Sequence, residues 1–101
     1  MIKMEIEKLE NRAEEASQLL AAMANPKRLL ILCNLVEGEM NVTELSERVG
    51  LSQSPLSQHL SKLRAWGLVK PRREAQQVNY SLASDEVRQV LQTLYAIYCT
   101  R

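Results

Sequence analysis

The strongest constraint on the fold is a set of helix boundaries between residues 25 and 67. Three capping signals predict where helices begin: Asn25 before Pro26, Asn41 with Glu44 three residues later, and Ser54 before Pro55. A glycine follows each of these segments and predicts its end, at Gly38, Gly50 and Gly67. The helices that begin at Asn41 and Ser54 are short and are joined by a tight turn, so together they predict a helix-turn-helix motif.

The flanking segments complete the predicted fold. Apolar residues at spacings of three and four predict an earlier helix over residues 5–23: Ile6, Leu9, Ala13, Ala16, Leu20 and Met23. After residue 67 the pattern changes to the alternation of a two-stranded wing, with a polar turn at residues 74–77. Ser84 then caps a last helix. The prediction is one mainly helical (α+β) winged helix-turn-helix domain over residues 1–101: four helices, a hairpin and a fifth helix.

Charge is distributed unevenly along the chain. Residues 1–50 carry 6 basic and 9 acidic side chains, whereas residues 51–101 carry 7 and 3. Residues 51–73 contain no acid and five bases, namely Lys62, Arg64, Lys70, Arg72 and Arg73. This asymmetry is expected of a surface that meets phosphates, although charge alone fits an ordinary solvated face equally well.

The helix predicted over residues 54–64 has the division of a DNA-reading helix. Leu56, Leu60 and Leu63 form its inner face, and His59 beside them is interpreted as a hydrogen-bonded structural histidine. Polar side chains on the outer arc suit base edges and phosphates in a major groove. The predicted contacts are Gln53, Ser54, Ser57, Gln58, Ser61, Lys62 and Arg64, joined from the hairpin by Arg72 and Arg73, which are suited to a phosphate or the adjacent minor groove.

Composition argues against several other classes of protein. No apolar run approaches the roughly 20 residues of a membrane helix, and the N-terminus lacks a secretory signal, so a cytoplasmic protein is expected. Two cysteines and one histidine are too few for a four-ligand zinc site within one chain. A thiol enzyme is disfavoured because Cys99 has no evident base. We expect neither enzymatic activity nor a cofactor.

Three blocks, at residues 22–35, 42–82 and 94–99, cover most of the chain and resemble the ArsR/SmtB family of winged-helix repressors. Within that family they are most similar to the group of BigR, SqrR, YgaV and HlyU. The resemblance implies a homodimer built from the first and last helices, bound to a double-stranded DNA operator that is an imperfect inverted repeat. It also implies a wing over residues 72–77, which adds Gln76 and Gln77 to the expected DNA contacts.

The metal sites of the family are not expected here. Many members bind metal through two cysteines in a pattern resembling ELCVCDL, and Asn41 and Thr43 occupy the corresponding positions. Neither side chain offers the soft sulfur ligand that such a site needs. A second family site uses Asp and His on the last helix, where this chain has Asp85 but no histidine.

The two cysteines have different interpretations from the residues alone. Cys33 lies on a predicted buried stripe with Leu29, Leu32 and Val36, which favours a small buried hydrophobe. Cys99 lies near a polar terminus, where we expect partial exposure and greater reactivity. In the sulfur-sensing members that the chain resembles, matching cysteines on these two helices are linked by persulfide or polysulfide and DNA is released. The resemblance therefore implies thiol sensing by Cys33 and Cys99.

Three alternatives to this hypothesis remain open at the level of sequence. The chain fits a DNA-binding regulator that makes no use of its cysteines, and it fits an antirepressor that displaces another protein from DNA. It also fits a winged-helix dimer whose basic face binds only an acidic protein. The salt dependence of DNA binding distinguishes the last alternative from the others.

Overall fold

The computed structural model describes residues 3–100. In chain order the described elements are α1 (Ile6–Glu10), α2 (Ala13–Met23), α3 (Pro26–Leu35), β1 (Met40–Asn41), α4 (Val42–Val49), α5 (Gln53–Ala65), β2 (Val69–Glu74), β3 (Gln77–Leu82) and α6 (Asp85–Tyr98). The three strands form an antiparallel sheet in the order β1-β3-β2. None of the helices within residues 3–100 combines the length and the apolar character needed to cross a bilayer.

The capping signals at Asn25 and Asn41 are confirmed. The Asn25 side-chain oxygen accepts hydrogen bonds from the backbone N–H groups of Lys27 and Arg28, at 2.9 and 3.0 Å. Asn41 and Glu44 form a reciprocal capping box at the start of α4. These bonds satisfy N–H groups that have no acceptor within the helix, which is why the two boundaries could be predicted locally.

The N-cap predicted at Ser54 for the helix over residues 54–64 is wrong by two residues. The N-cap is Ser52, and α5 begins at Gln53, so Pro55 occupies the third helical position rather than the first. Proline is tolerated there because the first N–H groups of a helix lack an intrahelical partner in any case. The chemistry of the cap therefore allowed more than one position for the boundary.

The N-terminal helix is interrupted rather than continuous. It divides between α1 and α2 at Asn11 and Arg12, and α1 contains no buried residue. Asparagine favours caps over helix interiors, and no packing within the described chain holds this segment straight. Strand β1 was also not predicted, because two residues are too few to display an alternating pattern.

The core lies beneath α5 and draws on α2, α3, α4, α6 and both wing strands as well. Its most completely buried side chains are Ile31, Leu32, Leu35, Leu45, Leu56, Leu60, Leu63 and Val87. Two long cations from other helices bind backbone carbonyls at helix ends: Lys27 Nζ donates to Val49 O and Arg88 Nη1 donates to Val36 O, each at 2.7 Å. Positive groups are favourable at helix C-termini, and these two contacts fasten α3 to α4 and α6 to α3.

Candidate nucleic-acid interface

The two faces of α5 differ in burial as the sequence predicts. Leu56, Leu60 and Leu63 are at most 2% exposed and pack into the core. Every polar side chain predicted to contact DNA from this helix is exposed: Gln53, Ser54, Ser57, Gln58, Ser61, Lys62 and Arg64. Among residues 3–100, neither basic side chain of this set takes part in an ion pair. The outer arc of α5 is therefore available to an external ligand.

A concavity lies between α5 and the wing. The α5 side is lined by Ser57, Ser61 and Arg64, and the wing side by Arg73 together with Pro71, Val78 and Tyr80. None of the described residues around it is acidic. Two guanidinium groups and two serine hydroxyl groups at one concave surface match the donors that proteins use to bind phosphate oxygens.

The consecutive wing arginines lie on opposite faces of β2. Arg73 lines the concavity, whereas Arg72 binds two carboxylates on the other face. Arg72 donates to both oxygens of Glu39, at 2.9 Å from Nε and 2.6 Å from Nη2, and its Nη2 also lies 2.7 Å from Glu74 Oε2. The hydrogen bond from Arg72 is the main reason that the pKa of Glu39 is lowered, and the bond to Glu39 in turn raises the pKa of Arg72.

The two carboxylate partners of Arg72 were missed at the level of sequence. Glu74 follows Arg72 by two positions, so the alternation of a strand places both on one face, and that signal was available. Glu39 lies 33 residues away in sequence, and no local pattern connects it to the wing. The wing-tip residues Gln76 and Gln77 are exposed, as a DNA-contacting tip requires.

The hydrogen bond predicted for His59 is absent from the part of the chain that the structure describes. The residue is partly buried in α5, and its Nδ1 atom has no hydrogen-bond partner within residues 3–100. Burial lowers the pKa of His59, and the nearby charges of Arg28 and Lys62 lower it further. Cations offer no acceptor to the ring, so the site favours a neutral imidazole that contributes mainly by packing.

The predicted burial of Cys33 is wrong, whereas the predicted exposure of Cys99 is confirmed. Both are exposed free thiols, Cys33 on α3 and Cys99 at the C-cap of α6. The surrounding protein still withdraws the Cys33 sulfur from water enough to raise its pKa, and the charge of Cys99 raises it further. Residues 29–33 are all apolar, so periodicity could not select the arc of α3 that faces the core.

The terminal helices carry large apolar side chains that no part of the described chain covers. These are Ile6 and Leu9 on α1, Leu20 on α2, and Tyr95, Ile97 and Tyr98 on α6. Each is at least 47% exposed. The apolar stripe predicted for the N-terminal helix therefore exists in the sequence but is mostly unburied in a single chain. Ile6 and Leu9 are three positions apart, as are Tyr95 and Tyr98, so each pair lies on one face of its helix. A contiguous exposed apolar face is typical of an interaction site.

Comparison with known proteins identifies the family. Residues 25–70 match the model of the bacterial regulatory proteins of the arsR family. The chain is 50% identical over 96 residues to the transcriptional activator HlyU of Vibrio cholerae, an alignment that covers 95% of this chain and 89% of the relative. The chain belongs to the arsR family. These matches confirm the resemblance to the ArsR/SmtB family that the three sequence blocks indicate.

Solved structures confirm the fold of this arsR-family protein. The transcriptional repressor BigR from Xylella fastidiosa superposes with a TM-score of 0.92 at 41% identity, covering 97% of this chain and 100% of that one. A homodimeric winged helix-turn-helix DNA-binding domain from Mycobacterium bovis gives a TM-score of 0.75 at 27% identity, covering 96% and 89%. The predicted winged helix-turn-helix architecture is correct.

Proposed function

We propose that this arsR-family protein is a homodimeric, sequence-specific DNA-binding repressor whose affinity for its operator is controlled by reactive sulfur at Cys33 and Cys99. The observation that carries DNA binding is the concavity between α5 and the wing. There Arg64 and Arg73 lie with two serine hydroxyls at a surface whose described lining contains no carboxylate. Such a surface attracts a phosphate backbone and has nothing that repels it.

In this proposal α5 lies in the major groove. The side chains of its first two turns, including Ser54, Ser57 and Gln58, contact base edges, while Lys62 and Arg64 near its end contact phosphates. Arg73 binds a phosphate across the concavity, and Gln76 and Gln77 at the wing tip approach the adjacent minor groove.

The exposed apolar side chains of α1, α2 and α6 support a homodimer. A second copy covers them through a self-complementary contact, as a twofold axis requires. The M. bovis relative is homodimeric. A twofold dimer presents its two recognition helices to half-sites about one helical turn apart, so the operator is expected to be an imperfect inverted repeat.

Sulfur sensing is supported by the accessibility of both thiols and by the effect of Cys99 on the pKa of Cys33. A low-molecular-weight persulfide RSSH transfers its outer sulfur to one cysteine, giving Cys-SSH and RSH. The second thiol then attacks the inner sulfur, which forms the disulfide and releases hydrogen sulfide. If both thiols are persulfidated first, the same attack forms a trisulfide and releases one molecule of hydrogen sulfide. Longer bridges relax the separation of about 5.5 to 6 Å between Cα atoms that a simple disulfide needs.

The packing of α3 and α6 offers a route from the thiols to DNA. Arg88 of α6 already binds the carbonyl of Val36 at the end of α3. A covalent bridge between Cys33 and Cys99 tethers the same two helices at a second point. Since α6 is the proposed dimer helix and α3 packs against α4, the bridge alters the tilt of the two recognition helices.

DNA binding is tested by anisotropy titration of a duplex recovered by the protein from a randomised pool, across about 50 to 200 mM salt. Replacing Lys62 or Arg73 by Gln is expected to flatten the dependence of log affinity on log salt by about 0.9 each. Lys70→Gln is the matched control, since it removes the same charge from β2 on the face opposite Arg73. Affinity that is independent of salt, or identical for every duplex, contradicts the proposal.

Sulfur control is tested by intact-mass spectrometry and DNA binding after treatment with glutathione persulfide, oxidised glutathione or hydrogen peroxide. We expect an internal Cys33–Cys99 bridge after persulfide treatment, with weakened DNA binding. Cys33→Ser and Cys99→Ser should each retain binding after the same treatment. If both variants respond as the parent does, the pair is not the sensor.

An activator acting as an antirepressor is the second candidate, favoured by the identity to the activator HlyU. The same DNA-binding surface serves either role, because the sign of regulation depends on where the operator lies relative to the promoter. A reporter fused to the operator region distinguishes them: loss of the protein raises expression for a repressor and lowers it for an activator.

A further inference from the structure

We infer that Arg72 is a positioning residue that fastens the wing to the segment before β1 through Glu39, leaving Arg73 as the phosphate-binding arginine of the wing. The inference rests on the proposed DNA binding and deepens it, because it assigns different roles to two adjacent arginines. The observation behind it is the bidentate ion pair between Arg72 and Glu39, joined by Glu74.

The order of the strands shows which parts of the protein this ion pair connects. Strand β2 is an edge strand that joins the sheet only through β3, and β1 lies on the other side of β3. Arg72 pairs with Asn79 in register, and Asn79 pairs in turn with Asn41 of β1. The guanidinium of Arg72 therefore connects the outer strand of the wing to the residue preceding β1, across the middle strand. This contact resists a swing of the hairpin relative to the body of the protein.

The outer part of the wing has little else to hold its orientation. Val69 and Leu82 at its base are buried in the core and Tyr80 packs against it, but no residue between positions 70 and 81 is buried. An isolated two-stranded hairpin is marginally stable in water, so the part of the wing beyond its base depends on contacts such as this one. Exposed ion pairs usually contribute little, but a bidentate arginine with two carboxylates is the arrangement in which such a contribution is measurable.

The same carboxylates make Arg72 a poor phosphate ligand. A phosphate approaching it has to displace Glu39 and meets the negative charge of Glu74. Arg73 faces the concavity and has no ion pair within residues 3–100. Neighbouring charges thus separate the two roles, although the side chains are chemically identical.

The two possible roles of Arg72 predict opposite effects of Glu39→Gln. If Arg72 contacts DNA, removing Glu39 frees its charge and strengthens binding. If Arg72 positions the wing, removing Glu39 loosens the hairpin and weakens binding. Arg72→Lys also separates the roles, because lysine keeps the charge for a phosphate but cannot form the bidentate pair.

The test uses the full-length protein and the pool-selected duplex, titrated over about 50 to 200 mM salt. We expect Arg72→Gln, Arg72→Lys and Glu39→Gln each to weaken binding by about two- to fivefold, the range typical of exposed ion pairs, with an unchanged salt slope. The double variant Glu39→Gln/Arg72→Gln should bind DNA no more weakly than either single variant, because each substitution removes the same contact between Arg72 and Glu39. Arg73→Gln, the matched control, should flatten the slope by about 0.9.

Hydrogen exchange in the absence of DNA provides an independent readout. Amides of β2 and β3 should exchange faster in Glu39→Gln and Arg72→Gln, while those of α5 should not change. Stronger DNA binding by Glu39→Gln, a flattened slope in Arg72→Gln, or unchanged wing exchange would each overturn the inference. If the wild-type protein shows no salt-dependent affinity but wing exchange responds as expected, the proposed DNA binding fails while the positioning contact stands.

Discussion

The core beneath α5 and the surface of the terminal helices use similar apolar residues in opposite ways. Leu45, Leu56 and Leu63 are completely buried within one chain, whereas Leu20 is 56% exposed and Tyr98 is 76% exposed. The first set makes the helix-turn-helix unit self-sufficient. The second set has periodic spacing and no partner within the described chain. The difference indicates that a monomer completes the DNA-reading unit, while the terminal helices require a further surface.

The largest expected effect concerns the core beneath α5, which is complete within one chain. Leu60→Ala deletes a side chain that is 2% exposed in the centre of the core, so we expect a loss of about 2 to 5 kcal/mol in the free energy of unfolding. Urea denaturation followed by circular dichroism measures it. Leu20→Ala is the matched control, and an equal loss in that variant at low protein concentration would erase the distinction between the two regions.

The next effect concerns the exposed apolar side chains of α1, α2 and α6. Leu20→Ser should weaken self-association, because full burial of such a side chain is worth about 1.5 to 3 kcal/mol, the 56% exposed Leu20 has about half of that left to gain, and a twofold dimer loses it twice. Sedimentation velocity over a dilution series measures the shift in the dimer–monomer equilibrium. Ser17→Ala, on the same helix, should leave the equilibrium unchanged. A monomeric wild-type protein at all concentrations would remove the basis of this prediction.

The cysteine pair links the two regions, since Cys33 lies on a core-forming helix and Cys99 at the end of a terminal helix. Because burial and the charge of Cys99 raise the pKa of Cys33, alkylation of Cys33 near neutral pH should be slower than that of a free cysteine and should accelerate as pH rises. Cys99→Ser removes one raising cause, so the pH profile of Cys33 should move to lower pH. Peptide mass spectrometry of iodoacetamide-treated protein measures this, and an unmoved profile would show that the thiols do not interact.

The smallest expected effect concerns the tip of the wing, which lies outside both regions. Ala75 in the two-residue hairpin turn has a φ of 55°, a conformation that costs an alanine about 1 to 2 kcal/mol. Ala75→Gly relieves that cost but adds about 0.5 to 1 kcal/mol of chain entropy, for a net gain of at most about 1.5 kcal/mol. Slower amide exchange confined to β2 and β3 is the expected result. A change in the core instead would mean that the tip of the wing and the core are not independent.

Local chemistry explains which features could be predicted from the sequence. The caps at Asn25 and Asn41 depend on groups within three residues of each other, and the structure contains both. The polar arc of α5 follows from the positions of its leucines, so all its predicted contacts are exposed. The errors have two origins. The start of α5 was misplaced because the chemistry of the cap allows more than one position, whereas the arc of α3 that carries Cys33 and the pairing of Arg72 with Glu39 depend on how one element packs against another.

The order of the main helices and the wing, the unequal distribution of charge and the polar face of α5 were determined by the sequence alone, because each depends on neighbours along the chain. Tertiary structure decided which arc of α3 meets the core, that the Cys33 thiol is exposed, and that adjacent arginines on β2 face different surroundings. Strand alternation separates neighbouring side chains, and only the folded chain brings Glu39 across 33 positions to one of them. The role of an arginine at the wing therefore depends on its electrostatic neighbours in space.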